Sequence, residues 1–275
     1  MLKVLRWIVT NKCNYNCSIC WQRQLIKEKK IIPEPEEKLD PVKYYEALLK
    51  LKPEVLDCTG GEPLIRKGFI NLIKKICDNK NINIALTSNI SRNIDDFVQN
   101  VNPLRISSLV CSFHPEFTSE KLFLGKLKLL KSYGFNPIVN FVISPYDIFI
   151  SDYYINYFQN ENFKVHTDIY SPAGTKSYTR NPIENSIIEK TLSSDRKIFL
   201  KDEITTCYCD AGSSVLQCDT NLDAYPCLRY YMEKLNPMGN IVNKEFSLLK
   251  KSLYCVFRKE CAGCDRDHVT VNYEH

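Results

Sequence analysis

Between Val4 and Ile169 short apolar runs alternate with amphipathic stretches, and this alternation restricts the fold more than any other feature of the chain. The runs read as strands at Val4 to Thr10, Val55 to Cys58, Ile82 to Thr87, Ser107 to Phe113, Pro137 to Ile143 and Phe163 to Ile169. Helices are expected between them, over Phe69 to Cys77, Ile94 to Val101, Glu120 to Tyr133 and Asp152 to Phe158. A further helix should start at Pro41, with Asp40 as its N-cap, and Gly134 should end the Glu120 helix in a left-handed cap. Strand and helix in repetition call for a parallel sheet with right-handed crossovers. A full eight-stranded barrel takes about 250 residues. Six repeats in this span therefore suit an α/β fold of the partial, open (β/α)6 TIM-barrel kind, with its site in the loops that follow the strands.

The alternation stops after the sixth strand. A helical linker is expected from about Asn181 to Asp195, and beyond it the chain turns cysteine-rich and turn-rich. The expected division is a core domain over 1–195 and a small cysteine-rich domain over 196–275. A hydrophobic share of 44%, with no apolar run long enough to span a bilayer, argues against a membrane protein. The first apolar run stops at Thr10-Asn11-Lys12 without a small-residue cleavage site, so the expected location is the cytoplasm. The net charge of +5 is scattered among 32 acidic residues, and no helix-turn-helix, zinc-finger or RNA-binding signature accompanies it. A nucleic-acid partner is not expected.

Thirteen cysteines are many for a chain kept in a reducing compartment, and metal binding is the natural use for them. Directly after the first strand, CNYNCSIC brings Cys13, Cys17 and Cys20 onto one loop. A [4Fe–4S] cluster is normally held by four cysteines, so a set of three leaves one iron open for chemistry. A structural zinc site would want a fourth ligand, and this loop has no further Cys or His.

This spacing after an opening strand strongly resembles the radical S-adenosylmethionine (SAM) superfamily. The resemblance implies that the open iron chelates the amino and carboxylate groups of SAM, and that reductive cleavage yields methionine and a 5′-deoxyadenosyl radical. It also implies an electron donor such as flavodoxin or ferredoxin. Thr59-Gly60-Gly61-Glu62-Pro63 follows the second strand and resembles the family's GGEP loop, whose backbone binds the amino end of SAM. Glycines suit a backbone that must come close to a ligand. Thr87-Ser88-Asn89 resembles the family's Thr-Asn-Gly signature with its order altered, which carries over Asn89 alone. Ser112 stands where related enzymes place a serine on SAM, and His114 follows it. Ile19 and Trp21 flank the third cysteine and are candidates to pack on the adenine, with a core role for Trp21 as the alternative.

The tail holds Cys207, Cys209, Cys218, Cys227, Cys255, Cys261 and Cys264. The text CDAGSSVLQCDTNLDAYPC, with NPMGNI and CAGC after it, resembles the SPASM and twitch extensions of radical SAM enzymes. By that resemblance Cys209, Cys227, Cys261 and Cys264 hold one auxiliary [4Fe–4S] cluster. The family's glycine before Tyr225-Pro226 is Asp223 here. A zinc ribbon is the competing reading of the tail. Cys207, Cys218 and Cys255 are left over, and burial as small hydrophobes is their expected role. Cys58, Cys77 and Cys111 are expected in the core.

The resemblance implies hydrogen abstraction from an unactivated C–H bond, with the auxiliary cluster accepting the electron left behind, so that an oxidation or cross-link results. The substrate is expected to be a ribosomally made peptide or a small molecule of natural-product synthesis. The cysteine motif begins at residue 13, which is read as leaving no room for an N-terminal leader-binding domain. His114, His166 and Asp168 lie near strand ends as acid–base candidates. A non-enzymatic zinc or iron–sulfur binding module is the reading from a different class.

Overall fold

The computed structural model of the chain describes residues 2–28, 39–79, 81–144, 147–170, 208–242, 245–255 and 271–272. Six strands run β1 (Val4–Thr10), β2 (Val55–Gly60), β3 (Asn83–Ser88), β4 (Ile106–Phe113), β5 (Pro137–Ile143) and β6 (Lys164–Ile169). Each pairs in parallel with the next, giving the order β6-β5-β4-β3-β2-β1. Helices α1 (Trp21–Lys27), α2 (Pro41–Leu51), α3 (Phe69–Asp78), α4 (Ile94–Asn100), α5 (Glu120–Ser132) and α6 (Ser151–Asn160) fall between them. The α/β parallel sheet expected from the alternation is therefore present.

Local chemistry sets the helix ends. Asp40 accepts from Val42 N at 2.9 Å and Lys43 N at 3.2 Å, with Pro41 in the first turn. Gly134, at φ +86°, closes α5 with Phe135 N donating to Leu130 O at 3.1 Å, the six-to-one bond of a Schellman cap.

The two faces of the sheet differ sharply. Leu5, Trp7, Leu56, Cys58, Ile84, Leu86, Leu109, Cys111, Val139 and Phe141 join residues such as Leu48, Phe69, Ile73, Phe97, Phe123 and Phe158 from α2 to α6 in one buried core. Each such side chain contributes about 1.5–3 kcal/mol on burial. Cys58, Cys77 and Cys111 lie in this core, as their apolar surroundings suggest. Strand positions of the other parity put Arg6, Asp57, Thr59, Thr87, Ser108, Ser112, Asn140 and His166 on the opposite face. Parallel strands buried on both sides read as continuous apolar runs. These strands alternate instead, so one face is reserved for something other than helix packing.

The tail contributes to the same sheet. Strand β7 (Tyr208–Cys209) is followed by β8 (Val215–Cys218), which pairs in parallel with β1, Val4 opposite Val215 and Trp7 opposite Cys218. Strand β9 (Ala224–Tyr225) returns antiparallel to β8 and leads into α7 (Leu228–Met232). Strands β10 (Leu253–Tyr254) and β11 (Val271–Asn272) flank β7 in a separate three-stranded sheet. Buried Arg66 binds the hairpin to the core: its guanidinium donates to Thr220 O at 2.9 Å and to Val9 O, and lies over the rings of Trp7 and Tyr44. The expected boundary at 195/196 and the helical linker lie outside the described residues. No helix among the described residues is long and apolar enough to cross a membrane.

Candidate functional site

The three-cysteine loop leaves the C-terminal end of β1 and runs into α1, with Cys20 as the N-cap residue. Cys13, Cys17 and Cys20 are half-buried and free of disulfides. Their sulfurs lie near enough to repel one another as thiolates. Burial first, then repulsion by Cys20 and Cys13, pushes the Cys17 thiol up to about 12. Burial likewise raises Cys13, opposed by the Tyr15 N–H that it accepts at 3.4 Å. Cys13 and Cys17 so placed favour the protonated thiol, and a bound metal inverts that preference. Among the described residues no three His, Cys, Asp or Glu side chains are arranged to hold a single metal ion. Three cysteine thiols are the kind of donor that iron–sulfur clusters take, one short of the usual four. Amide and imidazole groups surround the sulfurs: Asn89 Nδ2 lies 3.8 Å from Cys13 Sγ, and His114 Nδ1 lies 3.5 Å from Cys17 Sγ.

The glycine loop is built against this one. Gly61 N donates to Thr10 O at 2.7 Å and Glu62 N donates to Lys12 O at 2.9 Å. A Cβ on Gly61 would sit 2.0 Å from Lys12 O, and one on Gly60 would sit 2.5 Å from Thr10 O. The close approach that demands glycine is therefore to the stem of the cysteine loop.

Glu62 is fully buried and accepts from Leu64 N at 2.9 Å, Ser88 Oγ at 2.8 Å and Asn89 N at 2.7 Å. Burial holds its carboxyl above the ordinary range although all three donors act against that. Glu62 also caps the short 3-10 turn Pro63–Ile65, with Pro63 in the position where a missing N–H costs nothing. It is thus a strut between the loops after β2 and β3. Glu62→Ala would strand three donors, at about 1–3 kcal/mol for each. We expect its urea midpoint to fall well below that of Glu62→Gln, which keeps an acceptor oxygen; equal midpoints would remove the strut.

The loop after β3 carries the third motif. Ile90 takes φ +47°, and a β-branched residue in the left-handed region is a true outlier. Ser88, which the sequence reading did not single out, bonds Glu62 and also receives Ile90 N at 2.9 Å. Asn89 faces the cysteine loop, with Nδ2 also 3.3 Å from Asn14 Oδ1.

On the polar face, Ser112, Asn140 and His166 stand in register across β4, β5 and β6, and Asp168 follows two residues along. Asn140 Oδ1 is buried and makes no hydrogen bond among the described residues. Over β1, β2 and β3 the same face forms a cavity of about 220 Å3 lined by Arg6, Ile8, Asp57, Thr59, Gly60 and Thr87, with Trp21, Gln22, Gln217 and Leu228. Arg6 Nε pairs with Asp57 Oδ2 at 3.2 Å. Trp21 is 38% exposed and lines this cavity, so it is not a core residue. Ile19 is half-buried.

Of the tail cysteines, Cys209 lies on β7 and packs against Val4, Val55 and Val215, whereas Cys227 follows β9 and packs with Ile8, Leu25 and Tyr225. Leu253, which pairs with Cys209, packs in the same group as Cys227. Both cysteines are half-buried and stand on the polar-face side of β1. Cys218 and Cys255 are buried, as small hydrophobes would be. Cys207, Cys261 and Cys264 lie outside the described residues.

A parallel sheet whose first strand ends in three clustered thiols defines a class of domain, and the comparisons agree with it. Residues 7–143, about half of the chain, match the model described as the radical SAM superfamily, and this stretch is a radical SAM domain. A GTP 3′,8-cyclase from Aquifex aeolicus (strain VF5) is 38% identical over 94 residues, which make up 32% of this chain and 28% of that one. The match thus spans little more than a quarter of that relative's length. Among solved structures, native anSMEcpe with bound AdoMet superimposes with a TM-score of 0.64 at 14% identity, over 89% of this chain and 79% of that one. Streptococcus suis SuiB bound to S-adenosylmethionine gives 0.61 at 14% identity, over 88% and 64%. At such identity these two report the fold alone.

Proposed function

We propose that the chain binds a [4Fe–4S] cluster on Cys13, Cys17 and Cys20, binds SAM beside it, and abstracts hydrogen from a substrate held on the polar face of an open barrel. When bound, the cluster and SAM supply one-electron cleavage of the C5′–S bond, giving methionine and a 5′-deoxyadenosyl radical. The observation that carries the reading is the junction of the two loops, where Gly61 and Glu62 bond to the stem of the three-thiol loop. In this reading the backbone of Gly60 and Gly61 binds the amino end of SAM. Glu62 and Pro63 hold that loop, and Asn89 steadies Cys13. Ser112, with the orphaned Asn140 oxygen in register beside it, supplies polar contacts further along.

The substrate group enters next to the Arg6–Asp57 pair and is small and polar, either one side chain of a peptide or a compact small molecule. SuiB has also been solved bound to its precursor peptide SuiA, and a peptide co-purifying with this chain would select that class. Cys209 and Cys227, with Cys261 and Cys264, are proposed to hold an auxiliary cluster that accepts the substrate's second electron. A single-electron donor such as flavodoxin or ferredoxin is proposed as the reductant, in the cytoplasm.

Anaerobic reconstitution with iron, sulfide, dithionite and SAM tests both parts. About eight irons per chain are expected, four for each cluster, together with 5′-deoxyadenosine and methionine. An intact cluster without 5′-deoxyadenosine would make the chain a non-enzymatic iron–sulfur module. About four irons with one zinc would make the tail a zinc ribbon.

A further inference from the structure

The segment after β4 is fastened to the cysteine loop at three successive points. Phe117 stacks on Tyr15, with ring centroids 4.7 Å apart and planes 14° from parallel. Both carboxylate oxygens of Glu116 lie 3.2 Å from Ser18 N, and Glu116 Oε1 accepts from Ser18 Oγ at 2.7 Å. His114 Nδ1 meets Cys17 Sγ at 3.5 Å, and its ring meets Tyr15 edge-on at 6.0 Å. The segment holds its own shape, with Phe117 N and Thr118 N both donating to His114 O, at 3.0 and 3.2 Å. The imidazole is therefore set against one sulfur of the loop, by a turn whose other contacts grip the residues on either side of that sulfur.

We propose that His114 donates its Nδ1–H to the Cys17 sulfur and thereby sets the reduction potential of the cluster. The proposal rests on the assignment of Cys17 as an iron ligand. A ligating cysteine is a thiolate and can only accept, so the contact fixes the tautomer with the proton on Nδ1. A hydrogen bond to a ligating sulfur draws electron density from it and favours the reduced, more negative cluster. His114 is a positioning residue here: it touches a ligand, and no bond in the reaction forms or breaks on it.

The test is a redox titration, followed by electron paramagnetic resonance, of the anaerobically reconstituted full chain. His114→Phe keeps a flat ring and removes the donor, whereas His114→Asn places an amide N–H near the position of Nδ1. At fixed ambient potential the reduced-to-oxidised ratio should fall at least tenfold in His114→Phe, which for one electron is a shift of 59 mV. His114→Asn, which restores a donor, should stay within about threefold of the parent. His114→Leu takes the place of His114→Phe should that variant not load its iron. An unchanged ratio in a fully loaded donor-free variant would overturn the proposal. So would an asparagine variant displaced as far as the phenylalanine one, or loss of iron from every variant, since His114 would then only hold the loop together. Absence of iron from the parent protein would defeat the ligand assignment instead.

Discussion

Replacing Cys17 with alanine should abolish 5′-deoxyadenosine formation and lower the iron content by about four atoms per chain. The half-buried loop holds three thiols, and burial and repulsion by neighbouring thiolates raise Cys13 and push Cys17 up to about 12. The charge of bound iron favours the thiolate at Cys13 and Cys17, and each thiolate bonded to iron is part of what holds it. With two thiolates, one more iron would need an outside ligand. The fitting control is Cys218→Ala, because Cys218 is equally a cysteine but is buried in the main core opposite Trp7. That variant should lose about 0.5–3 kcal/mol of stability, the ordinary range for a truncated core residue, and keep its iron and its SAM cleavage. Iron analysis and product chromatography on both proteins separate the outcomes. SAM cleavage by Cys17→Ala at the parent rate would remove Cys17 from the ligand set.

The parallel sheet could be read from the sequence because each strand announces itself by its apolar run, and two helices by an end signal. Asp40-Pro41 and Gly134 are local signals, and they act locally in the structure. What could not be read was carried by contacts between distant segments. The pairing of β8 with β1 joins residues more than two hundred positions apart, and nothing in VLQC says which edge it will find. The loop motifs were legible as text, but the contact of the glycine loop with the stem of the cysteine loop was not. Only the folded chain shows Gly61 pressed against Lys12. Ser88 was not singled out because its partner Glu62 is 26 residues away in the chain. Arg66 gave no signal at all, since a buried guanidinium between two aromatic rings and two carbonyls is defined wholly by tertiary packing.

Gly61→Ala tests that junction directly, because the new methyl has nowhere to go. Its position lies 2.0 Å from Lys12 O and 2.5 Å from the carbonyl carbon of Lys12. Neither atom is the end of a flexible side chain, so relief must come from separating two backbones. Separation weakens the bonds from Gly61 N to Thr10 O and from Glu62 N to Lys12 O, each worth about 0.5–1.5 kcal/mol. Overpacking adds about 1–3 kcal/mol, for a total of about 2–6 kcal/mol. That is a large part of the 5–15 kcal/mol that typically holds a domain folded. Gly125→Ala supplies the opposite case: Gly125 lies in the middle of α5 with nothing within 4 Å of its added methyl. There alanine should raise stability by about 0.5–1 kcal/mol through helix propensity. Urea unfolding of the two variants should therefore move in opposite directions, and in Gly61→Ala SAM cleavage should fall even where the protein is still folded. A Gly61→Ala protein as stable and as active as the parent would mean that the two loops do not meet as the Lys12 contact requires.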